Sequence, residues 1–237
     1  MDGTAPSVRV ALVTGGYKRL GLHLSRALGL AGFQVVATYR SDPELARAAS
    51  VELGIPLLKA DMSQEDEVNR VFDTVEHQHG TIGVLVNNVS SFPIGPLMDL
   101  DPSSFREAFE SCVYSSFYSI KRAVPGMKGA RYGRIINIGL AGADKVKGYT
   151  EIAAHGAAKT ALAVLTRSLA PELAPFGITV NMVNPGRLDL SKGPGKNTVM
   201  ALSEARGRRM VSPEAVVSAV MSLVNDGSRN GELLDVE

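Results

Sequence analysis

The sequence predicts an α/β protein: one doubly wound domain on a mostly parallel sheet of seven strands. Three observations carry that expectation. Near the N-terminus an apolar run, Val10 to Val13, meets a glycine turn (Thr14-Gly15-Gly16) and then a helix-spaced series, Leu20, Leu24, Ala27, Leu28 and Ala31. Further along, short continuous apolar runs alternate with helical segments, the pattern of strands buried on both faces. Finally, the polar signatures fall just after strands one to six, where ligands sit in open parallel sheets.

The elements follow in order. After the first strand and helix, Phe33 to Thr38 reads as strand two and ends at Tyr39-Arg40-Ser41-Asp42. Pro43 opens a helix through about Leu53, since proline suits a first helical turn. Ile55 to Lys59 is strand three, stopping at Asp61-Met62-Ser63, with Ser63 the expected N-cap of an acidic-start helix. Ile82 to Val86 is strand four, followed by Asn87-Asn88-Val89-Ser90-Ser91-Phe92. Asp101-Pro102 starts one helix reaching about Val124. Arg134 to Ile138 is strand five, and a Gly/Ala/Lys loop leads to a helix over Ile152 to Leu173. Ile178 to Val183 is strand six, running into Asn184-Pro185-Gly186. A basic, glycine-rich segment precedes a last helix at Pro213 to Val224 and a closing strand at Gly231 to Val236.

Composition narrows the class. With 237 residues the chain holds one sizeable core and demands no second domain, so residues 1–237 are expected to form a single domain. A formal charge of +1 argues against nucleic-acid or membrane-surface binding. Apolar stretches are broken well short of the ~20 residues a spanning helix needs. The start, MDGTAPSVRV, has no signal-type run, and the single cysteine, Cys112, fits a reducing compartment, so a cytoplasmic location is expected.

The glycine turn carries the first chemistry. Unpaired N–H groups and the helix dipole at a helix start attract phosphate, and glycines let it approach the main chain. Gly15 and Gly21 flank Lys18, Arg19 and Leu20, which places two cations inside the loop. Arg40, after strand two, stands where a ribose is handled; an acid there would accept from a 2′-hydroxyl, whereas arginine favours a 2′-phosphate, with Tyr39 and Ser41 beside it. NADPH is therefore expected over NADH. Asp61, next to Met62, could accept from an adenine amino group or be a turn residue only. Asn88 and Val89 are expected near the ribose, Asn87 between strands, and Pro185-Gly186 on the nicotinamide face.

Together the glycine turn, Asn87-Asn88, RIINI, the helix carrying Lys159, LTRSLAPELAPFGITVNMVNPG and GELLDVE resemble the short-chain dehydrogenase/reductase family over nearly the whole chain. The resemblance implies a Rossmann-type domain. Lys18-Arg19-Leu20-Gly21, the Tyr39-Arg40-Ser41 cluster after strand two and Asn87-Asn88-Val89-Ser90-Ser91-Phe92 are most like its pteridine reductase branch, which carries Tyr-x-Arg-Ser or a similar cluster at the second of these places. That likeness implies that Ser90 touches cofactor or substrate and that Phe92 stacks on a flat ligand, the alternative being a loop aromatic in the core. It also implies a homodimer or homotetramer built on the long helices, with Ala157, Ala158, Ala161 and Ala163 allowing close packing, and a lid at about 187–210. Lys192, Lys196, Arg206, Arg208 and Arg209 in that lid would suit an anionic substrate or an acidic carrier protein.

The departures matter more than the match. The family's set is Asn, Ser, Tyr and Lys; Lys159 stands, but the other positions hold Cys112, Leu140 and His155. Leucine can neither donate nor accept, and one such donor is worth roughly 3–4 kcal/mol of transition-state stabilisation. His155 shares a helix face with Lys159, whose charge should keep it neutral, a better base than acid. Tyr149 and Thr150 could offer a hydroxyl, and Cys112 reads as a small buried apolar residue. A C=N bond that arrives protonated needs hydride but no enzymic acid. The expected activity is thus NADPH-dependent hydride transfer to an imine, iminium or other pre-activated bond of a small substrate, with Ser90, Phe92, Leu140 and Tyr149 around it. Two alternatives stay open: a non-redox isomerase, dehydratase or cyclase using His155, and a silent NADPH-binding partner. No metal site is expected.

Overall fold

Strands β1 (Val10–Val13), β2 (Gln34–Tyr39), β3 (Leu57–Lys59), β4 (Ile82–Asn87), β5 (Gly133–Ile138), β6 (Ile178–Pro185) and β7 (Leu233–Val236) form one sheet in the order β3-β2-β1-β4-β5-β6-β7. The computed structural model describes residues 9–189 and 210–237. Every strand pair is parallel, and the registers Leu12↔Val36 and Leu12↔Leu85 place β1 at the centre of the reversal in strand order. A parallel sheet must be covered on both sides. Here α1 (Arg19–Leu30) and α7 (Pro213–Asn225) cover one face through Leu24, Leu28, Val216 and Val220 against Val13, Val84 and Ile136. On the other, α3 (Glu65–His79), α5 (Ser115–Ala130) and α6 (Ala153–Leu173) bring Phe72, Ile120 and Ala170 against Leu12, Leu85 and Ile135. Helix α2 (Pro43–Leu53) packs at the β2–β3 edge against Tyr17 and Tyr39.

A side-chain amide network crosses these layers. Asn87 Nδ2 donates to Asn137 Oδ1 at 2.8 Å, and Asn137 Nδ2 donates to Thr166 Oγ1 at 2.9 Å, tying β4, β5 and α6. Leaving such a buried donor without a partner costs roughly 1–3 kcal/mol, so the chain fixes which strands lie side by side.

Two local expectations need correction. Ser63 does not cap α3: its hydroxyl donates to Asp61 Oδ1 at 2.7 Å, and Gln64 takes the cap position without a side-chain bond. Asp61 forms its own turn and captures the hydroxyl first. The helix expected from Asp101 to about Val124 is three pieces: α4 (Pro102–Phe109), a π-helical turn (Glu110–Tyr114), and α5, which continues past Pro125 to Ala130. Pro125 removes one hydrogen bond, but Ile120, Ala123 and Met127 bury the same stripe on either side of it and hold the helix together.

Candidate active site at the C-terminal strand ends

Where the strand order reverses, the loops leaving β1 and β4 diverge and open a cleft of about 1050 Å³. Its first wall is the glycine turn. Helix α1 begins without a side-chain cap and without an acid in its first turn, so its leading N–H groups face the cleft. Gly21 is pressed so tightly on the turn that a Cβ there would lie 2.3 Å from Gly15 O. Thr38 Oγ1 accepts from Gly15 N at 3.1 Å, and Thr14 Oγ1 accepts from Asn88 N at 3.0 Å, so β2 and the β4 loop shape the turn. Arg19 adopts a left-handed backbone (φ 51°), an uncommon conformation outside glycine that collects at ligand sites.

All the residues singled out for cofactor contact line this one cleft: Gly15, Lys18, Arg19, Leu20, Gly21, Tyr39, Arg40, Ser41, Asp61, Met62, Asn88, Val89, Ser90, Lys159, Pro185 and Gly186. Several are engaged differently from expectation. Asn88 Nδ2 donates to Thr14 O at 3.0 Å and Gly15 O at 3.2 Å, so its amide braces the turn instead of reaching outward. Asp61 Oδ1 is taken by Ser63, and Asp61 Oδ2 lies 3.7 Å from Arg40. Arg40 also donates to Glu107 of α4 at 3.2 Å, a partner 67 residues away that nothing local in the sequence announces.

At the far end stand Phe92, Leu140, Tyr149, His155 and Lys159. One turn apart on α6, His155 and Lys159 are 4% and 2% exposed. Lys159 Nζ donates to Ile138 O, the last carbonyl of β5, at 2.6 Å. His155 Nδ1 lies 2.9 Å from Ser91 O. A carbonyl only accepts, so Nδ1 carries the proton and Nε2 is left as an acceptor. Burial, and then the Lys159 charge, lower the imidazole pKa to about 3, the Ser91 bond only partly opposing them. The ring is therefore neutral at ordinary pH. Phe92 lies against it, with ring centres 4.6 Å apart, and is 41% exposed to the cleft, so it is not a core aromatic.

Tyr149 is seated on α6 itself. A Cβ at Gly156 would lie 2.2 Å from Tyr149 Cδ2, so that glycine makes room for the ring, and the phenol donates to Ala141 O at 3.3 Å. The loop that carries it is anchored by Asp235, which accepts from Lys145 Nζ at 3.2 Å and from Gly142 N at 3.4 Å. Cys112 is outside the cleft, fully buried with Ala108, Ala154 and Ala158. Ala158 and Ala163 are buried within the chain, so of the four alanines expected at a subunit contact only Ala157 is exposed. Most of the expected lid, with Lys192, Lys196, Arg206, Arg208 and Arg209, lies outside the described residues. The described residues hold no cluster of three or more metal-ligating side chains, and no helix among them is long and apolar enough to cross a membrane.

Thr38, Ser91 and Ser111 also line the cleft and were not singled out. Thr38 was discoverable: it is a polar residue closing an apolar strand beside the glycine turn.

Comparison with known proteins agrees with this geometry. A family model described as enoyl-(acyl carrier protein) reductase matches residues 17–234. An acetoacetyl-CoA reductase of Paracoccus denitrificans is 33% identical over 211 residues, covering 89% of this chain and 84% of that protein. Among solved structures, a short chain dehydrogenase/reductase family protein superposes with a TM-score of 0.84 at 31% identity, covering 97% of this chain and 95% of the other. A blue fluorescent protein from a metagenomic library, in complex with NADPH, does so with 0.82 at 29% identity, covering 97% and 96%. By fold, by the span of the family match and by these relatives, the chain belongs to the short-chain dehydrogenase/reductase family and is an oxidoreductase of that family.

Proposed function

We propose that this chain is an NADPH-dependent reductase that delivers hydride to a C=N bond already carrying its proton, an imine of a small, flat substrate that arrives as its iminium. The observation that carries this reading is the fixed tautomer of His155: neutral, with Nδ1–H spent on Ser91 O and Nε2 left to accept. An acceptor beside the reacting bond suits a substrate N–H and offers no proton to a ketone oxygen. Leu140, at the neighbouring position of the family's set, has no hydrogen to give either.

The cofactor end supports a phosphorylated nucleotide. The uncapped start of α1, Lys18 and Arg19 suit a pyrophosphate, while Arg40 and Ser41 at the end of β2 suit a 2′-phosphate. A relative of the same fold holds NADPH. When bound, NADPH supplies the hydride. Lys159, anchored on Ile138 O, is the residue we assign to the nicotinamide ribose, and Pro185-Gly186 line the nicotinamide face. Phe92 stacks on the substrate, Ser90 and Tyr149 border it, and the likeness of the Asn87 to Phe92 segment to pteridine reductases supports a flat, nitrogen-containing ring. Exposed Phe105, Tyr114 and Phe117 on the α4–α5 side support a homodimer or homotetramer.

The test compares a cyclic imine with its matched ketone under NADPH. The imine should be reduced faster by the wild type, and His155→Ala should lower that rate. Equal rates, or no turnover of either, refute the proposal. Turnover that persists after the nucleotide is stripped would instead favour proton abstraction by His155 without redox chemistry.

A further inference from the structure

The π-helical turn between α4 and α5 puts a buried hydroxyl behind the catalytic loop, and the proposed reaction has not used it. Ser111 lies in that turn (Glu110–Tyr114) and is 4% exposed. Its Oγ accepts from Ser91 N at 2.8 Å and lies 3.1 Å from Ser91 Oγ, to which it can donate. Ser91 is also the residue whose carbonyl takes the His155 proton at 2.9 Å. Its backbone is thus held from both sides, N–H by the π turn and C=O by the imidazole. From the other side, Ser115 Oγ donates to Ser111 O, which fixes the turn that carries the hydroxyl. An α-helix widens by one residue per turn at such a segment, and these turns occur mostly at functional sites. Here the widening coincides with the one serine that reaches the β4 loop.

We infer that Ser111 is a positioning residue: by holding the backbone of Ser91 it keeps the Ser91 carbonyl on His155, which keeps the ring in its Nδ1–H tautomer and Nε2 an acceptor. This rests on the proposed use of His155 in catalysis. It adds a requirement that reading does not contain, namely that an atom of the π turn controls which nitrogen carries the proton. Without the Ser111 hydroxyl, Ser91 N loses its acceptor, the backbone at Ser91 can turn, and the Ser91 carbonyl no longer selects Nδ1 as the donor. An imidazole in the opposite tautomer would present N–H to a protonated substrate, placing two donors face to face.

The test reads the tautomer directly, by nitrogen-15 NMR of the His155 ring in the wild type, Ser111→Ala and Ser111→Thr, with His155→Gln assigning the signals. Wild type should show the Nδ1–H form. Ser111→Ala should show a mixture of tautomers and an imine kcat lowered about tenfold, in line with the cost of a misplaced group near the chemistry. Ser111→Thr keeps the hydroxyl and should recover both. If the alanine variant does not fold, Ser111→Cys, with its weaker acceptor, serves the same comparison. An unchanged Nδ1–H signal in the alanine or cysteine variant overturns the role of Ser111. The two ideas fail separately: a shifted tautomer without imine turnover in the wild type removes the proposed reaction and leaves the positioning intact.

Discussion

Acidification of the protein with and without His155 tests the burial and electrostatics of the site independently of any substrate. In the folded chain the imidazole pKa is lowered from 6.5 to about 3, by burial first and the Lys159 charge second. The unfolded chain therefore binds a proton that the native state refuses between those two values. A lowered histidine pKa gives stability that is whole above about 6.5, falls as pH drops, and levels off near 3. At about 1.4 kcal/mol per pH unit, pH 5 should cost about 2 kcal/mol relative to pH 8. Urea unfolding of wild type and His155→Gln at both pH values isolates this term, because the other histidines and the carboxylates cancel in the double difference. The glutamine amide can still donate to Ser91 O, so the comparison changes the titration more than the packing. Wild type should lose about 2 kcal/mol more than the variant on going from pH 8 to 5. Parallel losses in the two proteins would mean that the ring is hydrated or that Lys159 does not act on it, and the argument for a neutral acceptor would fail.

Three further outcomes follow from the cleft. Gly21→Ala forces a Cβ to within 2.3 Å of Gly15 O, a backbone atom that cannot step aside, so calorimetry should find NADPH affinity reduced at least about tenfold even if the variant folds. Glu107→Gln releases Arg40 from an exposed ion pair worth at most about 1 kcal/mol, so NADPH should bind up to about fivefold tighter while NADH is unchanged. Equal effects on the two nucleotides would show that Arg40 does not meet the 2′-phosphate. Gly156→Ala must displace the Tyr149 ring from α6, whereas Tyr149→Phe removes only the long bond to Ala141 O; the first should raise the KM for a cyclic imine several-fold more than the second.

Much of the fold can be read from the chain because its strands are nearly unbroken apolar runs and its helices carry one apolar stripe. Leu12, Val36, Leu85 and Ile135 have to be buried, and a doubly wound sheet is the arrangement that covers both faces of such strands. The rule that ligands gather at the strand ends then brings residues as distant as Gly15 and Lys159 into one cleft. What the chain does not announce is the choice of partner. Arg40 carries its charge visibly, yet its partner Glu107 comes from α4, 67 residues along the chain. Asn88 has two donors and an acceptor, and the turn carbonyls of Thr14 and Gly15 claim its amide. Ser63 has the chemistry of a cap, but Asp61 two residues earlier captures it. The π turn at Glu110–Tyr114 has no residue signature, since a shift of hydrogen bonding along a helix depends on what packs around it.

The same distinction between backbone and side chain explains how the end of the cleft that holds His155 and Lys159 is ordered. Both polar residues of α6 facing the cleft are anchored on main-chain oxygens, Lys159 on Ile138 O and His155 on Ser91 O. Those carbonyls are fixed by β5 and by the loop after β4, elements that the Asn87–Asn137–Thr166 chain holds in register. Small residues at Ala154 and Ala158 let α6 approach the α4 side closely, so positions 155 and 159 meet the strand ends whatever side chains they carry. A ring at position 155 needs only one donor to satisfy Ser91 O, and an imidazole provides it through Nδ1 while keeping Nε2 for chemistry. The scaffold therefore sets where the ring of residue 155 stands, and the residue placed there sets whether it offers a hydrogen-bond donor or an acceptor. On the proposed reading His155 accepts a hydrogen bond and gives none, so a substrate that brings and keeps its own proton would suit the cleft better than one that must be given it.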